Sequence, residues 1–145
     1  MADPSSRKAK IFVDADAFIA LMKADDQNHS KAAAIFERLC VDGAHFVTSN
    51  YVFAEVVTVL SLRVGHAPAV AFIDRVASQE DGIEHVRVDA DIERQAIEIF
   101  RRQRSKNVSF MDCCHMACVR HFHFDAVFSF DHIYPQNHIP LAMDL

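Results

Sequence analysis

The chain has 145 residues, a length typical of one domain built on a single hydrophobic core. Apolar residues make up 51% of the sequence and charged residues 24%, which excludes a largely disordered protein. The 20 acidic residues outnumber the 15 Lys and Arg, and the net charge of -5 excludes a strongly basic, histone-like nucleic-acid binder.

The N-terminal residues carry positive charges, as a secretory signal does, but Asp14 and Asp16 interrupt the apolar stretch that follows them. No charge-free apolar run approaches the roughly 20 residues that span a bilayer. We therefore expect a cytoplasmic protein without membrane segments. Residues 1–9 are predicted to form a flexible N-terminal segment and residues 10–145 to form one domain.

Strands and helices are predicted to alternate along the rest of the chain. Apolar and β-branched runs predict strands at residues 10–13, 45–48, 85–88 and 126–128, with a weaker fifth candidate at 139–141. Helical spacing of apolar residues predicts helices at residues 15–23, 30–41, 52–60, 68–79 and 92–100. Nearly continuous apolar strands separated by helices are typical of an α/β fold whose parallel sheet is covered on both faces.

Two acidic residues follow predicted strands. Asp14 comes directly after the first strand, and Asp131 ends the segment that contains the fourth. In open parallel sheets, ligands bind beyond the carboxyl ends of the strands, where the strand order reverses. The two acids are therefore expected at a ligand-binding edge.

Two further acidic residues lie near the starts of predicted helices, Glu55 after the second strand and Asp112 within 109–112. Helical spacing surrounds Glu55 with apolar residues, where a carboxylate is costly unless a positive charge meets it. Only Arg63, about two turns further on, is a basic residue near that spacing. A divalent cation is therefore the expected partner of Glu55.

Each acid also has a purely structural interpretation. Asp14 would cap a helix, Asp131 would begin a turn, and Asp112 would form a capping box with Ser109. Four carboxylates at one edge of a sheet nevertheless repel one another unless a metal ion binds there, and hard oxygen ligands select Mg²⁺ or Mn²⁺. Such a site suits metal-assisted attack of water on a phosphodiester.

Four segments in chain order resemble the PIN-domain family, in particular the VapC toxins of VapBC toxin–antitoxin pairs. These segments are residues 11–21, 48–55, 109–112 and 125–131, which span nearly the whole chain. The resemblance implies a single-domain α/β/α sandwich with a central parallel sheet of four to five strands. It also implies an endoribonuclease that uses one or two Mg²⁺ or Mn²⁺ ions and leaves a 5′-phosphate and a 3′-hydroxyl, a small antitoxin partner and a homodimer.

The resemblance assigns the catalytic and metal-binding roles residue by residue. The family's acidic residues correspond to Asp14, Glu55, Asp112 and Asp131. Asp16 and Ser129 are additional site residues, Ser129 as a hydrogen-bonding group that orients the site. The cysteines Cys113, Cys114 and Cys118 stand where relatives carry small residues.

A basic run precedes Asp112 and consists of Arg101, Arg102, Arg104 and Lys106. This basic run has two interpretations, and both can be true at once. The cations complement the dipole at a solvated helix end, or they contact RNA phosphates beside the acidic site.

The cysteines also admit a zinc-site interpretation, because Cys114 and Cys118 lie one helical turn apart with His115, His121 and His123 nearby. Paired Cys-x-x-Cys spacing is absent, so buried thiols are preferred. Three alternative functions remain: a PIN-domain RNA-processing nuclease without an antitoxin, a haloacid-dehalogenase-like phosphatase with Asp14 as nucleophile, and a non-enzymatic scaffold. Mutually repelling carboxylates argue against the scaffold.

Overall fold

The computed structural model describes residues 7–145 and contains a parallel sheet of four strands flanked by helices. The strands are β1 (Lys10–Val13), β2 (His45–Ser49), β3 (Glu84–Val86) and β4 (Ala126–Phe128). The helices are α1 (Ala15–Met22), α2 (His29–Val41), α3 (Asn50–Arg63), α4 (His66–Ser78), α5 (Ala90–Arg102), α6 (Phe110–His121) and α7 (Ile133–Gln136), followed by a 3₁₀ helix at Ala142–Asp144.

The sheet order is β3-β2-β1-β4, and every neighbouring pair is parallel. Strands β1 and β4 are buried almost throughout, whereas β3, at the sheet edge opposite β4, is mostly exposed. The near-continuous burial of β1 and β4 requires the unbroken apolar runs that the sequence shows there. The predicted α/β/α sandwich is thus confirmed, with four strands.

The predicted strands agree with the structure to within about two residues at their ends. The fifth candidate, residues 139–141, forms no strand and contributes one parallel bridge from Leu141 to Val127. Pro140 lies within this segment and has no N–H to donate to a sheet ladder. Its carbonyl instead accepts a hydrogen bond from the N–H of Val127 at 2.9 Å.

The N-terminal residues 1–6, part of the predicted flexible segment, lie outside the described residues. Arg7 forms an ion pair with Asp125 at 2.6 Å, and the carbonyl of Ala9 accepts a hydrogen bond from the N–H of His45. The domain boundary at residue 10 stays a prediction. Within residues 7–145, every helix is too short or too polar to cross a membrane.

Candidate metal-dependent nuclease site

The carboxyl ends of β1 and β4 meet at the point where the strand order reverses. From β1 the chain passes to β2 on one side, and β4 later pairs with β1 on the other side. Asp14 follows β1 directly, and its N–H donates to the carbonyl of Phe128 at the end of β4. This junction is where an open parallel sheet binds ligands.

Both carboxylate oxygens of Asp14 are held in place. Oδ1 accepts a hydrogen bond from the N–H of Ala15 at 2.7 Å, so Asp14 is the N-cap of α1. Oδ2 accepts a hydrogen bond from the hydroxyl of Tyr134 at 2.5 Å, and both side chains are buried. A carboxylate fixed by a helix cap and a buried hydroxyl is a preorganised group.

Asp16 lies one residue into α1 and is tied to the segment after β4. Its Oδ2 accepts hydrogen bonds from the Ser129 hydroxyl at 2.9 Å and the Phe130 N–H at 2.7 Å, while its Oδ1 is buried without a partner among the described residues. Burial and the neighbouring Asp14 carboxylate raise the pKa of Asp16 to about 7, against the lowering effect of these hydrogen bonds. The Ser129 hydroxyl also accepts from the N–H of Asp131, so Ser129 joins two of the acids.

Glu55 has a partner within the protein that the sequence analysis did not identify. His115 on α6 places its Nε2 2.6 Å from Glu55 Oε1 and 3.7 Å from Asp14 Oδ1. A carboxylate only accepts hydrogen bonds, so Nε2 must carry the proton. Glu55 thus has a hydrogen-bonding partner within the folded chain, in addition to the divalent cation that the sequence predicts.

His115 is buried to 1% exposure, and its Nδ1 has no partner among the described residues. Burial alone would lower the pKa of His115. The Asp14 carboxylate and the hydrogen bond with Glu55 outweigh burial and raise that pKa above its ordinary value. His115 is thus the hydrogen-bond donor of Glu55, and the Asp14 carboxylate lies 3.7 Å from the same nitrogen.

Asp112 and Asp131 contact the backbone as their structural interpretations predicted. Asp112 completes a capping box with Ser109, its Oδ2 accepting from the Ser109 N–H at 2.9 Å. Asp131 Oδ1 accepts from the N–H of Ile133 at 3.0 Å. Burial, with contributions from the Asp131 and Asp14 charges, raises the pKa of Asp112 despite the capping bonds. The acids are close enough to influence one another.

Four of the carboxylates follow one pattern, in which one oxygen is hydrogen-bonded and the other is not. Among residues 7–145, the oxygens without a hydrogen-bond donor are Asp16 Oδ1, Glu55 Oε2, Asp112 Oδ1 and Asp131 Oδ2. Hard, charged oxygens of this kind are the ligands that Mg²⁺ and Mn²⁺ take. The residues present therefore fit such an ion, and Asp14, Glu55 and His115 also have ligand atoms within 4.8 Å of one another.

The alternative zinc site at the cysteines does not form among the described residues. Cys113, Cys114 and Cys118 are buried, and burial raises the pKa of Cys118 to about 12. The histidine nearest them in sequence, His115, faces Glu55 instead. The preferred interpretation, buried thiols, is the one that the structure shows.

The basic run lies partly on α5 and partly on the loop that follows it. Arg101 and Arg102 are exposed in the last turn of α5, and Arg101 pairs with Glu98 at 3.2 Å. Arg104 and Lys106 are exposed in the loop, where Ser105 and Asn107 border the same cleft as Asp16 and Asp131. Arg104 and Lys106 therefore adjoin residues of that cleft, whereas Arg101 and Arg102 lie on the helix before it.

Sequence reasoning missed two residues of the site, His115 and Tyr134. His115 lies three residues after Asp112, and Tyr134 lies three residues after Asp131. A spacing of three on a helix places side chains on one face, so the helix that carries Asp112 contained a signal for His115. In the sequence, His115 is considered only as a possible zinc ligand beside Cys114 and Cys118.

Comparison with known proteins agrees with this geometry. The PIN domain family matches residues 11–138. The 23S rRNA-specific endonuclease VapC20 of Mycobacterium tuberculosis, from two strains, is 36% identical over 122 residues, which cover 83% of this chain and 88% of the relative. The crystal structure of Mycobacterium tuberculosis VapC20, described as a sarcin–ricin loop cleaving toxin, matches with a TM-score of 0.77 and 30% identity, covering 89% of this chain and 95% of that one. The chain therefore belongs to the PIN-domain family, a nuclease fold, and is a homologue of VapC-type ribonuclease toxins.

Proposed function

We propose that the chain is a Mg²⁺- or Mn²⁺-dependent endoribonuclease that acts as the toxin of a toxin–antitoxin pair in the cytoplasm. The observation that carries the proposal is the group of carboxylates at the β1–β4 junction, most of which keep one oxygen free of hydrogen bonds. Four acids so close together are costly unless cations bind them. The relationship to VapC20 supports RNA as the substrate.

In this proposal the metal ligands are Asp14, Glu55, Asp112 and Asp131, with Asp16 as an additional acid. One or two ions bound there would lower the pKa of a coordinated water and neutralise charge that develops on the scissile phosphate. His115 and Tyr134 hold the Glu55 and Asp14 carboxylates in place. Ser129 fixes Asp16 relative to Asp131. These residues supply the fixed geometry that the reaction needs.

The basic run supplies the contacts to the RNA backbone in the same proposal. Arg101, Arg102, Arg104 and Lys106 are exposed, and Arg104 and Lys106 adjoin Ser105, which borders the same cleft as Asp16 and Asp131. Exposed cations outside an acidic centre attract the RNA strand without entering the site. Binding through them is expected to weaken as salt rises.

The central experiment incubates the purified protein with ribosomes, 23S rRNA and unrelated structured RNAs, with Mg²⁺, with Mn²⁺ or with EDTA. We expect cleavage with metal only, and products with 5′-phosphate ends. Asp14→Asn removes the negative charge, and asparagine can still act as the N-cap of α1. We therefore expect a folded, inactive variant. Asp74→Asn, on an exposed position of α4, is the matched control and should cleave normally. Metal-independent cleavage, or no cleavage of any RNA, would refute the proposal.

The antitoxin and the homodimer are parts of the proposal that need their own tests. Expression in a bacterial host should stop growth, Asp14→Asn should not, and co-expression of a small protein encoded beside the toxin should restore growth. If the protein cleaves RNA without arresting growth, the alternative of an RNA-processing PIN nuclease without an antitoxin is favoured. Light scattering coupled to gel filtration measures whether the protein is a dimer.

A further inference from the structure

A cleft of about 520 Å³ opens beside the acidic site, and its chemistry differs from that of the site itself. Asp16 and Asp131 form one end of it, and Phe130 lines it. The remaining polar lining residues are Gln27, Asn28, Ser105, Asn107, His132 and Gln136. A volume of this size is in the range of small-molecule sites.

The amide side chains of this cleft have unused hydrogen-bonding groups. Within residues 7–145, the side chains of Gln27, Asn107 and Gln136 make no hydrogen bond to any protein group. Nearby, Gln103 and Asn137 pair with each other at 3.0 Å. The cleft therefore has free donors and acceptors, while the adjacent amides are already satisfied.

The distribution of charge indicates which part of a nucleotide the cleft accepts. No Lys or Arg of the described chain lines it, so away from the Asp16 and Asp131 end the cleft offers a phosphate no basic side chain. Cations lie outside instead: Arg104 and Lys106 flank Ser105, and Lys31 Nζ is 5.7 Å from the centre of the Phe130 ring. Phosphates are thus favoured at the rim and an uncharged group inside.

The walls of the cleft are fixed by local hydrogen bonds. His29 Nδ1 lies 2.7 Å from the carbonyl of Ala20, and the Asn28 N–H donates to Asp26 Oδ1 at 2.8 Å. On the opposite wall, the Asn107 N–H donates to the Ser105 hydroxyl at 3.1 Å. Binding of a ligand here therefore requires little loss of loop conformational entropy.

The geometry points to a nucleobase subsite: the cleft takes one unpaired base of the RNA next to the scissile phosphate, and its amides hydrogen-bond the edge of that base. Amide side chains present a donor and an acceptor together, which match the mixed edges of bases. Proteins that read RNA sequence do so mainly on unpaired bases, through such contacts and aromatic rings. This inference rests on the proposed ribonuclease function and adds the part of the substrate that the cleft selects.

Binding of short RNAs tests the subsite separately from cleavage. The parent protein for all binding measurements is the Asp14→Asn variant, which should leave RNA strands uncut in Mg²⁺. The probes are single-stranded RNA octamers of A, of C, of U, of alternating G and U, and of abasic units. Fluorescence anisotropy gives Kd for the parent and for the added changes Asn107→Ala and Gln136→Ala, both at exposed positions. The matched control is Gln95→Ala, an exposed amide on α5. Thermal melting establishes that every variant is folded.

We expect Asn107→Ala and Gln136→Ala to raise Kd about five-fold for at least one base, the size of one net hydrogen bond. They should leave Kd for the abasic octamer and the salt dependence of binding unchanged. Arg104→Ala should weaken all octamers alike and reduce the salt dependence. The inference is overturned if the amide changes affect every octamer equally, if they have no effect, or if the parent binds no octamer. Cleavage by the wild type is measured independently, so failure of the subsite and failure of the ribonuclease proposal are distinguishable.

Discussion

The hydrogen bond between His115 and Glu55 allows the effect of substituting His115 on protein stability to be predicted quantitatively. Replacement of His115 by Leu keeps an apolar body in the buried position and removes the hydrogen-bond donor of Glu55. A hydrogen bond to a charged group contributes about 1.5–3 kcal/mol. We expect the free energy of unfolding to fall by about 2 kcal/mol in EDTA. With a urea m-value of about 2 kcal/mol/M, the midpoint shifts by about 1 M.

The affinity for Mn²⁺ is a second measurement, and it would not change if His115 had a purely structural role. Outer-shell groups that orient metal ligands typically affect affinity by about 10–100-fold, so His115→Leu is expected to weaken Mn²⁺ binding by about ten-fold in calorimetric titrations. His115→Gln places an amide N–H near the position of Nε2 and should recover part of both losses. His121→Gln, at an exposed histidine of the same helix, should change neither measurement.

Two results would contradict this reasoning. If His115→Leu lowers stability but leaves Mn²⁺ affinity intact, His115 only fills space in the core. If His115→Gln is as damaging as His115→Leu in both assays, the hydrogen bond to Glu55 is not the interaction that matters.

Three further predictions follow from buried polar groups. Asp16→Asn should stabilise the metal-free fold, and the gain in unfolding free energy should grow from pH 4 to pH 7 by at most about 1.4 kcal/mol per pH unit. The reason is that the pKa of Asp16 is raised in the folded state, so the wild type loses stability as pH rises through this range. Urea unfolding at several pH values in EDTA measures this gain, and a gain that does not change with pH would contradict the prediction. Tyr134→Phe removes the hydroxyl bonded to Asp14 and should lower the unfolding free energy by about 2 kcal/mol, a loss that chemical denaturation would detect. Thiol titration with a disulfide reagent should find exposed Cys40 reactive in the native protein and Cys118 reactive only after unfolding, since burial raises the pKa of Cys118 to about 12; rapid native modification of Cys118 would refute its burial.

The fold was predictable because the local signals and the tertiary structure agree. The apolar runs at β1 and β4 are buried on both sides, and the helices between them begin at side-chain caps such as Ser49 and Asp89. Prediction was wrong where a segment was short and contained a proline, at residues 139–141. The apolar residues Ile139 and Leu141 are buried there, but without a strand around them.

The position of Asp14 was equally predictable, since an acid directly after a buried parallel strand lies at the binding edge of the sheet. The partner of Glu55 was not. His115 is 60 residues from Glu55 in sequence, and the two meet only because α3 packs against α6. Local spacing in a sequence reveals only the partners that lie on the same helix as Glu55. Contacts between distant helices leave no such periodic pattern in one sequence.

The geometry makes the structural and the catalytic interpretations of the acids compatible. Asp112 caps α6 with Oδ2 and Asp131 holds Ile133 with Oδ1, which leaves one oxygen of each without a hydrogen bond. Local capping therefore fixes the direction in which the second oxygen faces. It follows that alanine substitutions would remove a cap and a ligand together, and their effects on activity could not be assigned. Asparagine keeps an oxygen that can accept the backbone N–H and removes the charge, so Asp112→Asn and Asp131→Asn should lose metal binding while unfolding close to the wild-type midpoint.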